Sequence, residues 1–146
     1  MKKLFIMLFL ACLASGVQAQ DEKVMEQRAR EMFRVISLND PAEWKKFIKE
    51  NYTKALIDKP MRAKVDGGAS ASSGSSQSHE GNIEGKAKMY QMLHNDFGGG
   101  KVQSIKKTGD VLDMAVQNGG MSGTFSLRFS KEKPYLIDGL GVEVGN

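Results

Sequence analysis

Cysteine is almost missing from this chain: Cys12 is the only one among 146 residues. A single thiol excludes an internal disulfide framework and a thiolate metal site. Proline occurs three times, at 41, 60 and 134, so no proline-rich linker divides the chain. No Lys/Arg run exceeds two residues; Lys45-Lys46 and Lys106-Lys107 are pairs on mixed surfaces. Nucleic-acid binding needs a clustered basic footprint, and none is present. The longest apolar run, Leu4 to Leu13, is too short to cross a bilayer comfortably.

That short run sits in a recognisable context. Lys2 and Lys3 precede it, small residues Ala14, Ser15 and Gly16 follow, and Val17-Gln18-Ala19 leads into the polar Asp21-Glu22-Lys23. This three-part pattern predicts a secretory signal peptide over residues 1–19, cut between Ala19 and Gln20. Phe9-Leu10-Ala11 is a poor lipid-attachment box for Cys12, and cleavage removes that thiol. The exported chain, residues 20–146, then holds 19 basic and 17 acidic residues, close to neutral. It is expected in the periplasm or outside the cell, free of the membrane, and folded by packing alone as one domain.

Periodicity orders that domain. Met25, Ala29, Met32, Phe33 and Ile36 form one face of a helix over Glu22 to Leu38. Asp40-Pro41 with Glu43 starts a second helix, whose stripe is Trp44, Phe47, Ile48 and Ala55, and whose end falls between Tyr52 and Asp58. Residues 66–78 contain no large apolar side chain and read as a flexible Ser/Gly-rich loop. Ile83, Ala87, Tyr90, Leu93 and Phe97 mark a third helix over Glu80 to Asp96, and Gly98-Gly99-Gly100 stops it with one glycine able to take a left-handed cap. Four strands follow: Val102 to Lys107, Val111 to Gln117, Gly123 to Ser130 and Tyr135 to Val144, the last with a bulge near Gly139 and Gly141. Helices first and an antiparallel meander after predict an α+β domain, with the helices packed on the concave face of a curved four-stranded sheet.

The Asn39-Asp40-Pro41-Ala42-Glu43-Trp44 helix junction, the His94-Asn95-Asp96-Phe97-Gly98-Gly99 helix end and the closing Tyr135-Leu136-Ile137-Asp138-Gly139-Leu140-Gly141-Val142 carry a resemblance. Over residues 22–144 the chain resembles a nuclear-transport-factor-two-like domain, also called SnoaL-like or a cystatin-like cone. The nearest likeness is the small domain that precedes beta-lactamase-related serine hydrolase domains in secreted bacterial proteins. The resemblance implies a cone with a pocket between helices and sheet. Members of the family often hold a ligand there, and some catalyse isomerisation or cyclisation. The family usually has a short hairpin where this chain has its Ser/Gly-rich loop. The hydrolase domain itself has no counterpart here, so its activity does not carry over.

Several motifs invite chemistry and fail on context. Ser104-Ile105-Lys106-Lys107 and Lys107-Thr108-Gly109 match two signatures of penicillin-recognising enzymes, but they share Lys107 and occupy one strand and its turn. Those enzymes place the two motifs on opposite walls of a cleft. His79 and His94 with neighbouring acids do not make a convergent zinc set, so no metal and no cofactor is expected. No Gly-x-Ser-x-Gly elbow is present. Trp44, Phe47, Tyr90, Phe125, Leu127 and Phe129 are the candidate pocket-lining residues. Tyr52, His94, Asp96 and Asp138 are the polar candidates, and no acid-base pair stands out among them. The expected function is a non-catalytic binding or accessory domain. Its partner is a small apolar ligand or a protein, with a homodimer through the sheet as one form. The alternative is a small isomerase or hydrolase with an acid-base residue in the cone pocket.

Overall fold

The computed structural model describes residues 2–59, 62–64, 70–72 and 78–145, with side chains over 19–59 and 78–145. The chain is α+β. Helices α1 (Lys2–Ser37), α2 (Pro41–Asn51), α3 (Lys54–Asp58) and α4 (His79–Phe97) pack on one face of an antiparallel sheet ordered β3-β4-β5-β6. Its strands are β3 (Lys101–Thr108), β4 (Val111–Asn118), β5 (Met121–Phe129) and β6 (Ile137–Gly145). A separate two-stranded sheet pairs β1 (Arg62–Lys64) with β2 (Ser70–Ser72).

Alternation explains the layering. On β4, Leu112, Met114 and Val116 are buried; on β5 their register partners Leu127, Phe125 and Gly123 are buried too. The intervening residues, Asp113 with Ser126 and Ala115 with Thr124, face away from the helices. The two short hairpins turn at Gly109 (φ 63°) and Gly119 (φ 60°), where only glycine takes the left-handed backbone at no steric cost. Across the interior, Phe125 meets the rings of Phe33 and Phe97 edge-on at 6.2 and 5.6 Å.

Several expectations change in detail. The second helix stops at Asn51, because Tyr52 adopts extended backbone (φ −97°, ψ 147°) and pairs with Ile137. Thr53 then caps a new five-residue helix, its Oγ1 accepting from the Leu56 N–H. That break resets the helical phase, so Ala55 is exposed and Tyr52 is buried in its stead. Gly98 ends α4 in the right-handed region (φ −58°), and neither Gly99 nor Gly100 is left-handed. A Cβ at Gly98 would lie 2.5 Å from His94 Nδ1, so crowding rather than handedness calls for glycine there. Of the Ser/Gly-rich loop, Ser70–Ser72 forms a strand where no element was expected; 66–69 and 73–77 lie outside the described residues. The bulge sits at Asp138, where the register with β5 shifts between Arg128 and Phe129.

Candidate functional site

Most of the chemistry-bearing side chains gather where α2 ends, α3 runs and α4 begins. Tyr52 comes from the break after α2 and Tyr90 from the apolar stripe of α4. Both are buried, and their hydroxyls lie 2.8 Å apart. One hydroxyl donates to the other, which spares the donor the cost of an unpaired buried O–H. Burial pushes both phenols well above the ordinary tyrosine value, so both stay neutral at physiological pH. Phe47 completes the group, its ring centroid 6.4 Å from each tyrosine ring.

Lys86 lies beside them, one turn before Tyr90, and is only 3% exposed. Its ammonium donates to the carbonyls of Ile57 at 2.9 Å and Lys59 at 3.0 Å, the last carbonyls of α3. A cation at a helix C-terminus satisfies orphan acceptors and meets the negative end of the dipole. Desolvation pulls the Lys86 pKa below the ordinary lysine value.

Outside this buried layer, Asp58 receives His79 Nδ1 at 2.7 Å and the ammonium of Lys54. The carboxylate can only accept, so Nδ1 carries the proton and a neutral His79 keeps its free lone pair on Nε2. The bond from Lys54, then that from His79, hold the Asp58 carboxyl below its ordinary value. A depression of about 370 Å³ opens here, lined by Lys49, Tyr52, Lys54, Ile57 and His79. Its charges are matched: Lys49 pairs with Glu80 at 3.2 Å, and Lys54 with Asp58.

The sequence candidates separate into three places. Trp44, Phe47, Tyr90, Phe125 and Leu127 are all buried in the core, and Phe129 packs half-buried at its margin. Asp138 joins the Tyr52 end, where its Oδ1 accepts from Thr53 Oγ1 at 2.8 Å and steadies the cap of α3. His94 stands apart: its Nδ1 donates to the Ile36 carbonyl at 2.9 Å and its ring faces Trp44. Asp96 is exposed on α4, away from these groups. Sequence reasoning missed Asp58, Thr53 and Lys86. Lys86 had a readable signal, because it falls on the Ile83–Tyr90 stripe where a charge must find a buried partner. Asp58 and His79 are 21 residues apart, across a stretch with no periodicity, and nothing local pairs them.

Among the described residues no group of three or more His, Cys, Asp or Glu side chains is placed to hold a metal ion. No described helix is long and apolar enough to cross a membrane. No protein-family model matches the chain, and no curated protein matches it.

Proposed function

We propose that this chain is an exported, non-catalytic accessory domain of the nuclear-transport-factor-two-like kind, working by protein contact through the open face of its sheet, with a second copy as partner. The observation that carries this reading is the outer sheet face. Ala115, Thr124, Ser126 and Gly141 form a patch of small side chains there, with Asp113 tied to Ser126 at 2.6 Å and Arg128 at one end. No described element covers it, and small side chains let another surface approach closely. Three of the four polar candidates support the same view, since Tyr52, His94 and Asp138 each serve a bond within the scaffold, while Asp96 is exposed. The ring contacts between the layers favour contact at the surface over a ligand lodged in the core. Sedimentation equilibrium on the exported protein tests it. The wild type forms a dimer and Ser126→Arg forms a folded monomer with a cooperative melt. A wild type that stays monomeric at high micromolar concentration ends the reading.

A second reading, a small hydrolase or isomerase, is favoured by one observation: the Asp58–His79 pair beside Tyr52 at the mouth of the depression. A histidine whose Nδ1–H is held by a carboxylate presents Nε2 as a general base. Turnover of activated esters or of isomerisable ketones, abolished by His79→Ala with the fold intact, would establish it.

A further inference from the structure

The two edges of the four-stranded sheet are built differently. The β3 edge carries Lys101, Lys106 and Lys107 and a register shift between Val102 and Ser104. Lysines and bulges are devices that stop another strand from adding. The β6 edge has neither lysine nor a bulge beyond Asp138, and it carries Gly139, Gly141 and Gly145. Its first two residues are engaged from that side, Ile137 by the bridge to Tyr52 and the Thr53 N–H on its carbonyl at 2.9 Å, and Asp138 by Thr53 Oγ1 at 2.8 Å. From Gly139 to Gly145, no described strand other than β5 pairs with it.

Its side chains suggest what would fit. Leu140, Val142 and Val144 lie on the helix side, in register with Leu127, Phe125 and Gly123. The long helices sit on other strands, α1 against β3 and β4 and α4 against β4 and β5, while β6 meets the short α3. Leu140 and Val142 are therefore half-buried, and Val144 is 56% exposed. The apolar row stops at the edge with no neighbour to finish it. On the opposite side Glu143 is the one charged side chain of residues 139–145, and it is exposed.

We propose that the β6 edge docks an extended segment of another protein, one that alternates apolar residues with Lys or Arg. Such a segment would add as a further strand about 4.8 Å from β6, its main chain pairing with the free groups of residues 139–145. Every second side chain would extend the Leu140–Val142–Val144 row. A Lys or Arg among the alternate side chains would meet the exposed Glu143, and opposite charges on neighbouring strands attract. This surface is distinct from the outer face and the proposal does not depend on self-association there.

The test uses the exported protein and a labelled peptide of about nine residues, the length of β6, alternating valine with lysine or threonine. Two control peptides accompany it, one with N-methylated amides and one with glutamate in place of lysine. Fluorescence anisotropy reports binding, and hydrogen exchange reports where. The basic peptide should bind and slow exchange at residues 139–145. Both controls, and the exposed substitution Val144→Lys, should weaken binding about tenfold or more. Binding should persist in Ser126→Arg, which separates this edge from the outer face. Four outcomes would overturn the proposal: no binding by the basic peptide, equal binding by the N-methylated peptide, amides 139–145 already protected in the dilute free chain, or protection that appears only as protein concentration rises and is lost in Val144→Lys. The third would mean the chain covers its own edge, and the fourth that a second copy occupies it.

Discussion

Trp44 and His94 donate to consecutive carbonyls at the C-terminal end of α1. The indole Nε1–H reaches the Val35 carbonyl at 2.9 Å, and His94 Nδ1–H reaches that of Ile36 at 2.9 Å. Their ring centroids are 6.2 Å apart. The last carbonyls of a helix have no partner within it. Two side chains from two other helices supply partners here, so one cluster joins α1, α2 and α4. His94, a polar candidate on sequence grounds, is thereby a scaffold residue with its tautomer fixed by a carbonyl that can only accept.

Trp44→Phe keeps most of the packing and deletes the donor. It should cost about 1 kcal/mol, the worth of one bond, because the Val35 carbonyl keeps the Leu38 N–H at 3.2 Å. His94→Ala should cost about 1 kcal/mol or more through its own lost bond. Urea unfolding of both variants and of the double variant checks this. Because the two groups share one helix end, the double variant should depart from simple addition. Perfect additivity would mean that the two bonds act separately.

Gly123 faces Phe97 across the layers. A Cβ there would lie 2.6 Å from Phe97 Cζ. The ring occupies the space that a side chain on β5 would need. Gly123→Ala should therefore destabilise by about 1–3 kcal/mol, as overpacking does. Phe97→Leu opens room, so the pair of substitutions should cost less than the sum of the two. Thermal melts of the four proteins measure that coupling, and a pair that costs the full sum would show the ring moving aside freely.

The difference between these two cases explains what the sequence allowed a reader to see. The stripe Ile83, Ala87, Tyr90, Leu93, Phe97 and the alternation Phe125, Leu127 were legible because burial follows a fixed period along one element. Gly123 was placed on its strand but its reason was not, because the reason is a ring 26 positions away. Ala55 was misphased for a related cause, the helix break at Tyr52. The extended backbone of Tyr52 comes from pairing with Ile137, a contact that no local pattern announces. Asp58 and His79 meet across a region without periodicity, so the most reactive pair at the candidate site was hidden. The bulge of the last strand was read near Gly139 and Gly141 and falls at Asp138, whose bond to Thr53 depends on the helix break that the sequence left open.

Asp58 makes the acid limb of stability testable. Bonds from Lys54 and then His79 hold its folded pKa below the ordinary 3.8. In the window between the two values the unfolded chain therefore binds more protons than the folded one. The stabilisation is present above the unfolded value and lost as pH falls through the folded value. Wild type should exceed Asp58→Asn in stability at pH 6, and the gap should close below about pH 4. Salt should shrink the gap at pH 6, because these groups are exposed and screened. Urea midpoints across pH 3–6 decide it. A gap that is constant across that range would mean that Asp58 contributes through shape and not through charge.

The last prediction concerns where the folded domain starts. Residue 21 is the first with a described tertiary bond: the Asp21 carboxylate lies 3.4 Å from Lys133 Nζ, on the loop between β5 and β6. Two turns on, Arg28 donates to Asn51 Oδ1 at 2.7 Å and to the Pro134 carbonyl at 2.9 Å. That side chain clamps α1 to both α2 and the loop, and its partial burial lowers the guanidinium pKa through desolvation. Two truncations separate these layers. A protein beginning at Gln20 loses only the part read as a signal peptide, so its melting temperature should match that of the 146-residue chain. A protein beginning at Ala29 loses the Arg28 clamp with its two bonds and leaves Asn51 Oδ1 and the Pro134 carbonyl without this donor. It should be destabilised by about 2–4 kcal/mol, two bonds to a charged group at roughly 1.5 kcal/mol each being the larger share. Arg28→Ala in the Gln20 protein isolates the clamp from the loss of helix length. If Arg28→Ala melts with the Gln20 protein while the Ala29 truncation unfolds, the first helical turns act through length and packing, and the clamp is incidental.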